Sequence, residues 1–262
     1  MLKHSIVSFL MLFCPASSFR GSTLVVGANG KTGREVVYQS LKSGKNVVGL
    51  VRSDKPIFIP PGSAQTDGLS TSVEIEEHLK NVKGSGNLKI VVGSATDPED
   101  VAKCFYQDRI DSVIVALGGD VKDVGKTMLT DSTKNLLVHM GHNNCQKIIA
   151  ITSVGTGDSY EQAPLFFKGL MATIYKDMFE DKNNQEAVIE NNSITDKWCI
   201  VRPGGLTTTK RTTDFPVFEG KTIGQISRAD LAKFCIDAIN DVNFEFFQKK
   251  ISLSNVNTHH LD

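Results

Sequence analysis

The 262-residue chain has no excess charge of either sign, because 29 Lys and Arg balance 29 Asp and Glu. A protein dedicated to nucleic acid shows a basic surplus, so that class is disfavoured and a small molecule is the expected partner. No apolar run reaches the roughly 18 residues that a membrane-spanning helix needs. Among the five cysteines, Cys14, Cys104, Cys145, Cys199 and Cys235, there is no C-x-x-C pair, so neither a disulfide framework nor a zinc site is indicated. Cys104, Cys199 and Cys235 sit in apolar runs, as small core residues do; Cys145 sits in a polar turn and is left open. His139 and His142 have a metal-compatible i, i+3 spacing but no carboxylate or cysteine beside them. They read as helix-face histidines, and no metal is expected.

What the chain does have is a glycine-rich turn. Thr23-Leu24-Val25-Val26 is an apolar run suited to a buried strand, and Gly27, Gly30 and Gly33 follow it as G-x-x-G-x-x-G. Val36, Val37 and Leu41 then share a helical face with Gly33, and Gly44 suits a left-handed helix end. Between a strand and a helix, such glycines have a physical role. The first permits a sharp exit from the sheet, the second lets a phosphate approach the backbone, and the third brings helix and strand close. The free amides at the helix start then face an anion. A purely structural tight turn is the bland alternative, and the flanking pattern favours a nucleotide site over it.

The second strand, Asn46 to Val51, ends at Arg52 and Ser53. An NAD site usually places an acid there, about 20 residues past the glycines, to hold the ribose 2′-hydroxyl. A guanidinium instead grips a 2′-phosphate, which predicts NADP(H) over NAD(H); a solvated surface arginine is the alternative. Residues 55–86 read as loop, with a short helix over 72–82 capped by Thr71. Further strands are expected at Leu88–Val92, Asp111–Leu117, Lys147–Ile151, Lys197–Val201 and Lys250–Leu253. Helices are expected from Asp97-Pro98 onward, over Lys126–His142, over 161–191, and from Ser227 through Ile239. This alternation predicts a single α/β domain over residues 19–262, a doubly wound Rossmann-type parallel sheet of about seven strands with helices on both faces. Ligands then lie across the carboxyl ends of the strands.

Residues Met1 to Ser18 read as a signal or targeting segment: Lys3 and His4, an apolar stretch from Ile6 to Phe13, then small residues at Ala16-Ser17-Ser18. Ala16-Ser17-Ser18-Phe19 also resembles the cleavage motif of plastid precursors in diatoms and related algae. Plastid delivery and the secretory pathway are the two destinations expected. An N-terminal extension packed on the domain is the alternative, and the lone sequon Asn191-Asn192-Ser193 does not decide between them.

Six motifs together carry a resemblance: G-A-N-G-K-T-G at 27–33, L-V-R at 50–52, A-L-G-G at 116–119, T-S-V-G-T-G-D-S at 152–159, V-R-P-G-G-L at 201–206 and I-S-R-A-D-L-A at 226–232. The set resembles the atypical short-chain dehydrogenase/reductase superfamily, and within it the NAD(P)H-binding, NmrA-like group that includes biliverdin-IXβ/flavin reductase. The resemblance implies that Gly27, Asn29, Gly30, Lys31, Thr32 and Gly33 wrap the diphosphate and that Arg52 takes the 2′-phosphate. It implies that Ala116, Leu117 and Gly118 line the adenosine ribose and the bridge to nicotinamide, and that Pro203 and Gly204 lie beside the carboxamide. Ser153 matches the serine that bonds a substrate carbonyl.

The familiar members also use Y-x-x-x-K. With Lys182 in the lysine position, Met178 stands where the tyrosine belongs, and neither Tyr160 nor Tyr175 has a lysine four residues on. Lys182 is still expected at the nicotinamide ribose, with Glu186 one turn later; a surface ion pair is the alternative for those two. The expected function is an NADPH-dependent reductase that passes hydride to a small conjugated acceptor such as a flavin, tetrapyrrole or quinone. Ser153 and Lys182 are its candidate catalytic residues. Phe166, Phe167 and Tyr175 are candidates for an aromatic wall, or for core. The alternative function is a non-catalytic NAD(P)H-binding redox sensor or assembly factor; a nucleotide-sugar epimerase is weaker.

Overall fold

The computed structural model describes residues 21–118, 125–163, 165–212, 217–218 and 224–254. The expected targeting segment and Gly119 lie outside these residues.

The glycine turn sits where its neighbours predict. Strand β1 (Ser22–Val26) is buried on both faces and leads into helix α1 (Lys31–Lys42). Then come β2 (Val47–Val51), α2 (Pro61–Asp67), α3 (Ile75–Leu79), β3 (Leu88–Val92), α4 (Pro98–Gln107) and β4 (Ile110–Val115). They are followed by α5 (Met128–His142), β5 (Lys147–Ile151), a 3-10 helix (Gly157–Gln162), α6 (Leu165–Ala172) and α7 (Lys176–Glu190). The chain continues through β6 (Lys197–Pro203), β7 (Gly205–Thr207), β8 (Val217–Phe218), β9 (Gln225–Ser227), α8 (Arg228–Asn240) and β10 (Lys249–Leu253).

The main sheet runs β3-β2-β1-β4-β5-β6-β10-β8. All neighbours are parallel except β8, which pairs antiparallel with β10 at the edge. The seven-strand parallel part is the sheet expected from the sequence. Alternate side chains feed two cores. Val25, Val36, Leu41, Ile114, Leu231 and Cys235 meet on the face covered by α1, α2, α3 and α8. Leu24, Val26, Cys104, Val113, Leu136 and Ile200 meet on the face covered by α4, α5 and α7. Each fully buried aliphatic side chain contributes roughly 1.5–3 kcal/mol, so continuous Val/Ile/Leu strands between two helical layers dictate this arrangement. Cys145, left open above, is fully buried with the second core, and burial pushes its thiol up to about 12.

Three stretches depart from expectation. The span 161–191 is not one helix: α6 ends at Ala172, where the Thr173 hydroxyl bonds back to the Gly169 carbonyl at 2.8 Å, and α7 starts at Lys176. Residues 61–67, expected as loop, form α2. Proline stands at its first position, and its amides are capped by Glu35 of α1, whose Oε1 accepts from Gly62 N at 2.9 Å and Ser63 N at 3.2 Å. The helix expected over 72–82 is only Ile75–Leu79. β7 and β9 form a separate parallel pair that no local pattern announced.

Candidate active site

The strand order reverses direction between β1 and β4, and the crevice of a doubly wound sheet opens at such a point. A cavity of about 900 Å³ lies there. Its first wall is the turn after β1: Gly27, Asn29, Gly30, Lys31 and Thr32. Gly27 has φ 82, and a Cβ on it would stand 2.8 Å from the Ala116 carbonyl oxygen. Gly33 does not line the cavity; a Cβ there would drive into the Gly27 carbonyl, so its absence sets how closely α1 packs behind the turn. Among the described residues, α1 begins with no side-chain cap, whereas Asp97 caps α4 and Ser227 caps α8. The orphan amides of α1 therefore open onto the cavity, where an anion satisfies them.

Past the turn, the cavity runs in two directions. Toward β2 and β3 it is lined by Arg52 and Ser53 and by Gly93 to Thr96. Toward β4, β5 and α7 it is lined by Ala116, Leu117, Gly118, Met128, Ser132, Ile151, Thr152 and Lys182, and Leu206 and Arg228 also line it. Lys31, Arg52, Lys182 and Arg228 make four cations, and no carboxylate lines the wall among the described residues. This donor set fits a polyanionic dinucleotide.

Lys182 is half-buried, with its Nζ 5.4 Å from the centre of the Phe179 ring. Burial draws its amine down to about 8, and the Glu186 carboxylate offsets part of that shift. The two do not form the surface pair weighed from spacing. Glu186 is buried and turned to Arg202, which donates from Nε at 3.1 Å and from Nη2 at 2.5 Å. It also accepts from the Thr152 hydroxyl at 2.7 Å. A carboxylate below the surface takes the partner with the most donors, and the guanidinium fork outcompetes a single ammonium.

The structure thus brings Gly27, Asn29, Gly30, Lys31, Thr32, Arg52, Ala116, Leu117, Gly118 and Lys182 to one cavity. Ser153, Pro203 and Gly204 are not on its wall. The Ser153 hydroxyl donates to the Val154 carbonyl at 2.9 Å, and the neighbouring Thr152 takes the wall position. Gly204 is held against Gly224. The three aromatics do not form a wall either. Phe166 is 80% exposed and Tyr175 40% exposed, while Phe167 packs edge-on to Phe179 in a small satellite cluster.

Sequence reasoning missed Ser132, Thr152, Leu206 and Arg228. Ser132 is fully buried, and its hydroxyl has no partner in the protein among the described residues. Thr152 and Arg228 stood inside quoted motifs; Ser132 had no local signal. Among the described residues no cluster of side chains suits a metal ion, and no helix is long and apolar enough to cross a membrane.

Comparison with known proteins follows the same lines. Residues 64–242 match the model of a family described as NAD(P)H-binding. Isoflavone reductase of Pisum sativum is 33% identical over 95 residues, 36% of this chain, and the matched stretch spans only 28% of that relative's length. ChuY, an anaerobillin reductase from Escherichia coli O157:H7, superposes with a TM-score of 0.67 at 20% identity, over 90% of this chain and 98% of its own. A short-chain dehydrogenase/reductase (wide type) from Veillonella parvula DSM 2008, in complex with NADP, superposes with a TM-score of 0.65 at 15% identity, over 92% and 97% of the two chains. At these identities the structural likeness is one of fold.

Proposed function

This chain belongs to the NAD(P)H-binding family, and from that membership we propose that it is an NADPH-dependent reductase of a small conjugated acceptor. The observation that carries the choice of coenzyme is the charge of the cavity wall: four cations and no carboxylate among the described residues. A 2′-phosphate adds about −1.5 to −2 to a dinucleotide at neutral pH, and a wall of this sign rewards it.

In this reading the amides of Asn29, Lys31 and Thr32, at the turn and the start of α1, bind the diphosphate, while those of Gly27, Ala28 and Gly30 donate to the Leu50 and Gly27 carbonyls. Arg52 holds the 2′-phosphate through its fork. Ala116, Leu117 and Gly118 give the cofactor a wall of small and apolar groups, and Ile151 gives it an apolar contact. Lys182 reaches the cofactor's sugar hydroxyls, and Thr152 and Ser132 present hydroxyls at the same end. The coenzyme supplies the hydride; the chain binds it, orients it and excludes water. No tyrosine lines the described wall, so the acceptor must take its proton without a phenol. Flavins, linear tetrapyrroles and quinones suit that requirement.

The missing phenol equally favours a second reading, a redox sensor that binds the coenzyme and turns nothing over. One experiment separates them. NADPH and NADH are titrated by nicotinamide fluorescence, and flavin, tetrapyrrole and quinone acceptors are then added while nicotinamide absorbance is followed. Binding with NADPH oxidation supports the reductase. Binding without oxidation by any acceptor selects the sensor, and no binding of either coenzyme removes both.

A further inference from the structure

The start of α8 carries a cation that the sequence motif contained but to which it assigned no part. Arg228 is the first residue of α8 and lines the cavity. Its Nη1 donates to the Leu206 and Thr207 carbonyls, each at 3.1 Å. Both hydrogens of that nitrogen are thereby spent, and the guanidinium plane is fixed against the end of β7. The remaining N–H groups, on Nη2 and Nε, have no acceptor in the protein among the described residues.

Its position along the cavity follows from its neighbours. The next residue, Ala229, accepts at its carbonyl from Gln39 Nε2 of α1 at 2.9 Å, and Glu35 lies one turn into α1, just past the glycine turn. A Cβ on Gly62 would stand 2.7 Å from Glu35 Oε1 and 2.8 Å from the Ala229 Cβ. The starts of α2 and α8 and the first turns of α1 are therefore pressed together. Glu35 does not neutralise Arg228 by a direct bond, because its oxygens are taken by Gly62 N, Ser63 N and the Ser63 hydroxyl. Arg52 lies elsewhere, at the end of β2, with β1 between it and the strands β4 to β6 that lead to Leu206.

We propose that Arg228 grips the diphosphate of the dinucleotide from the start of α8, beside the first turns of α1, its free N–H groups taking phosphate oxygens that the α1 amides leave open. The assignment rests on the nucleotide reading of the cavity. It makes the site a clamp of two kinds of donor: main-chain amides with a helix dipole, and a planar fork. It also divides the two arginines by task. Arg52 distinguishes the coenzymes, and Arg228 binds what they share.

The test uses the purified full-length chain and direct binding rather than turnover. Dissociation constants for NADPH and for NADH are measured by calorimetry for the wild type, Arg228→Gln and Arg52→Gln. Arg228→Gln is expected to weaken both coenzymes by the same factor, about ten- to a hundredfold, while Arg52→Gln weakens NADPH alone. Unchanged affinity in Arg228→Gln overturns the proposal. So does a loss confined to NADPH, which would put Arg228 on the 2′-phosphate. If Arg228→Gln does not fold, as judged by circular dichroism, Arg228→Lys keeps the charge and removes the fork; an equal, smaller loss for both coenzymes supports the clamp, and no loss overturns it. A wild type that binds neither coenzyme removes the nucleotide reading, and the clamp with it. A wild type that binds both, with an unaffected Arg228→Gln, removes the clamp alone.

Discussion

Glu186 and Arg202 form a two-point ion pair below the surface, with side chains 4% and 3% exposed, and the Thr152 hydroxyl at the cavity wall is tied to the same carboxylate. Arg202 also donates to Asp158 at 2.7 Å. The chain from Arg202 through Glu186 to Thr152 carries order from the interior to the site. Two buried charges stabilise little in net terms, but removing one leaves the other uncompensated.

The first prediction concerns that asymmetry. Arg202→Met should destabilise the protein by about 3–5 kcal/mol, whereas Arg202→Met with Glu186→Leu should cost much less. Urea denaturation of the two variants decides. Equal losses would mean that the pair is not the source of the effect.

Arg52 is exposed at the cavity's β2 end. Arg52→Asp should reverse coenzyme preference, weakening NADPH by repulsion and offering NADH a carboxylate for its ribose hydroxyls. The ratio of the two dissociation constants is the measurement. A ratio unchanged from wild type would place the 2′-phosphate away from Arg52.

The parts of the site that were legible in sequence are those built by a few consecutive residues. Gly27 to Thr32, Arg52 after β2, and Ala116 to Gly118 after β4 each declare themselves because a strand ends and a special residue follows. What escaped is set by distant partners. α2 owes its start to Glu35, 26 residues earlier than Pro61. The choice of Thr152 over Ser153 depends on Glu186 and Arg202, which hold one hydroxyl while the other turns to the Val154 carbonyl. Arg228 is 201 positions from Gly27, and only the packing of α8 beside α1 brings it to the cavity. Wall and core were both open for the aromatics for a related reason: hydrophobicity identified Phe166 and Phe167 but not which way α6 faces, and only Phe167 packs inward, against Phe179.

Gly33 tests the packing of the turn separately from its chemistry. Gly33→Ala places a methyl against the Gly27 carbonyl, which is main chain and cannot swing aside. The start of α1 must then move away from β1. Overpacking of this kind costs roughly 1–3 kcal/mol, and the displaced amides should weaken NADPH and NADH together. Thermal melting and coenzyme titration check the two halves. A variant as stable and as tight as wild type would show that helix and strand have slack here.

Lys182 makes the cavity sensitive to mild alkali. Its amine falls from an ordinary 10.5 to about 8 because burial penalises the charged form. Between those values the unfolded chain holds a proton that the folded chain has lost, so this group makes the ligand-free protein more stable as pH rises through that window. Coenzyme binding runs the other way. A sugar or phosphate oxygen beside Nζ favours the ammonium, so bound NADPH should raise the amine's pKa and draw in a proton near pH 8. Affinity should be flat below about 8 and fall above it, by at most about tenfold per pH unit. Calorimetry in buffers of different ionisation enthalpy measures the proton taken up, independently of any turnover. Lys182→Met should bind more weakly, with no uptake and no slope from this group. If the variant keeps both, the proton belongs to another residue and Lys182 does not touch the coenzyme.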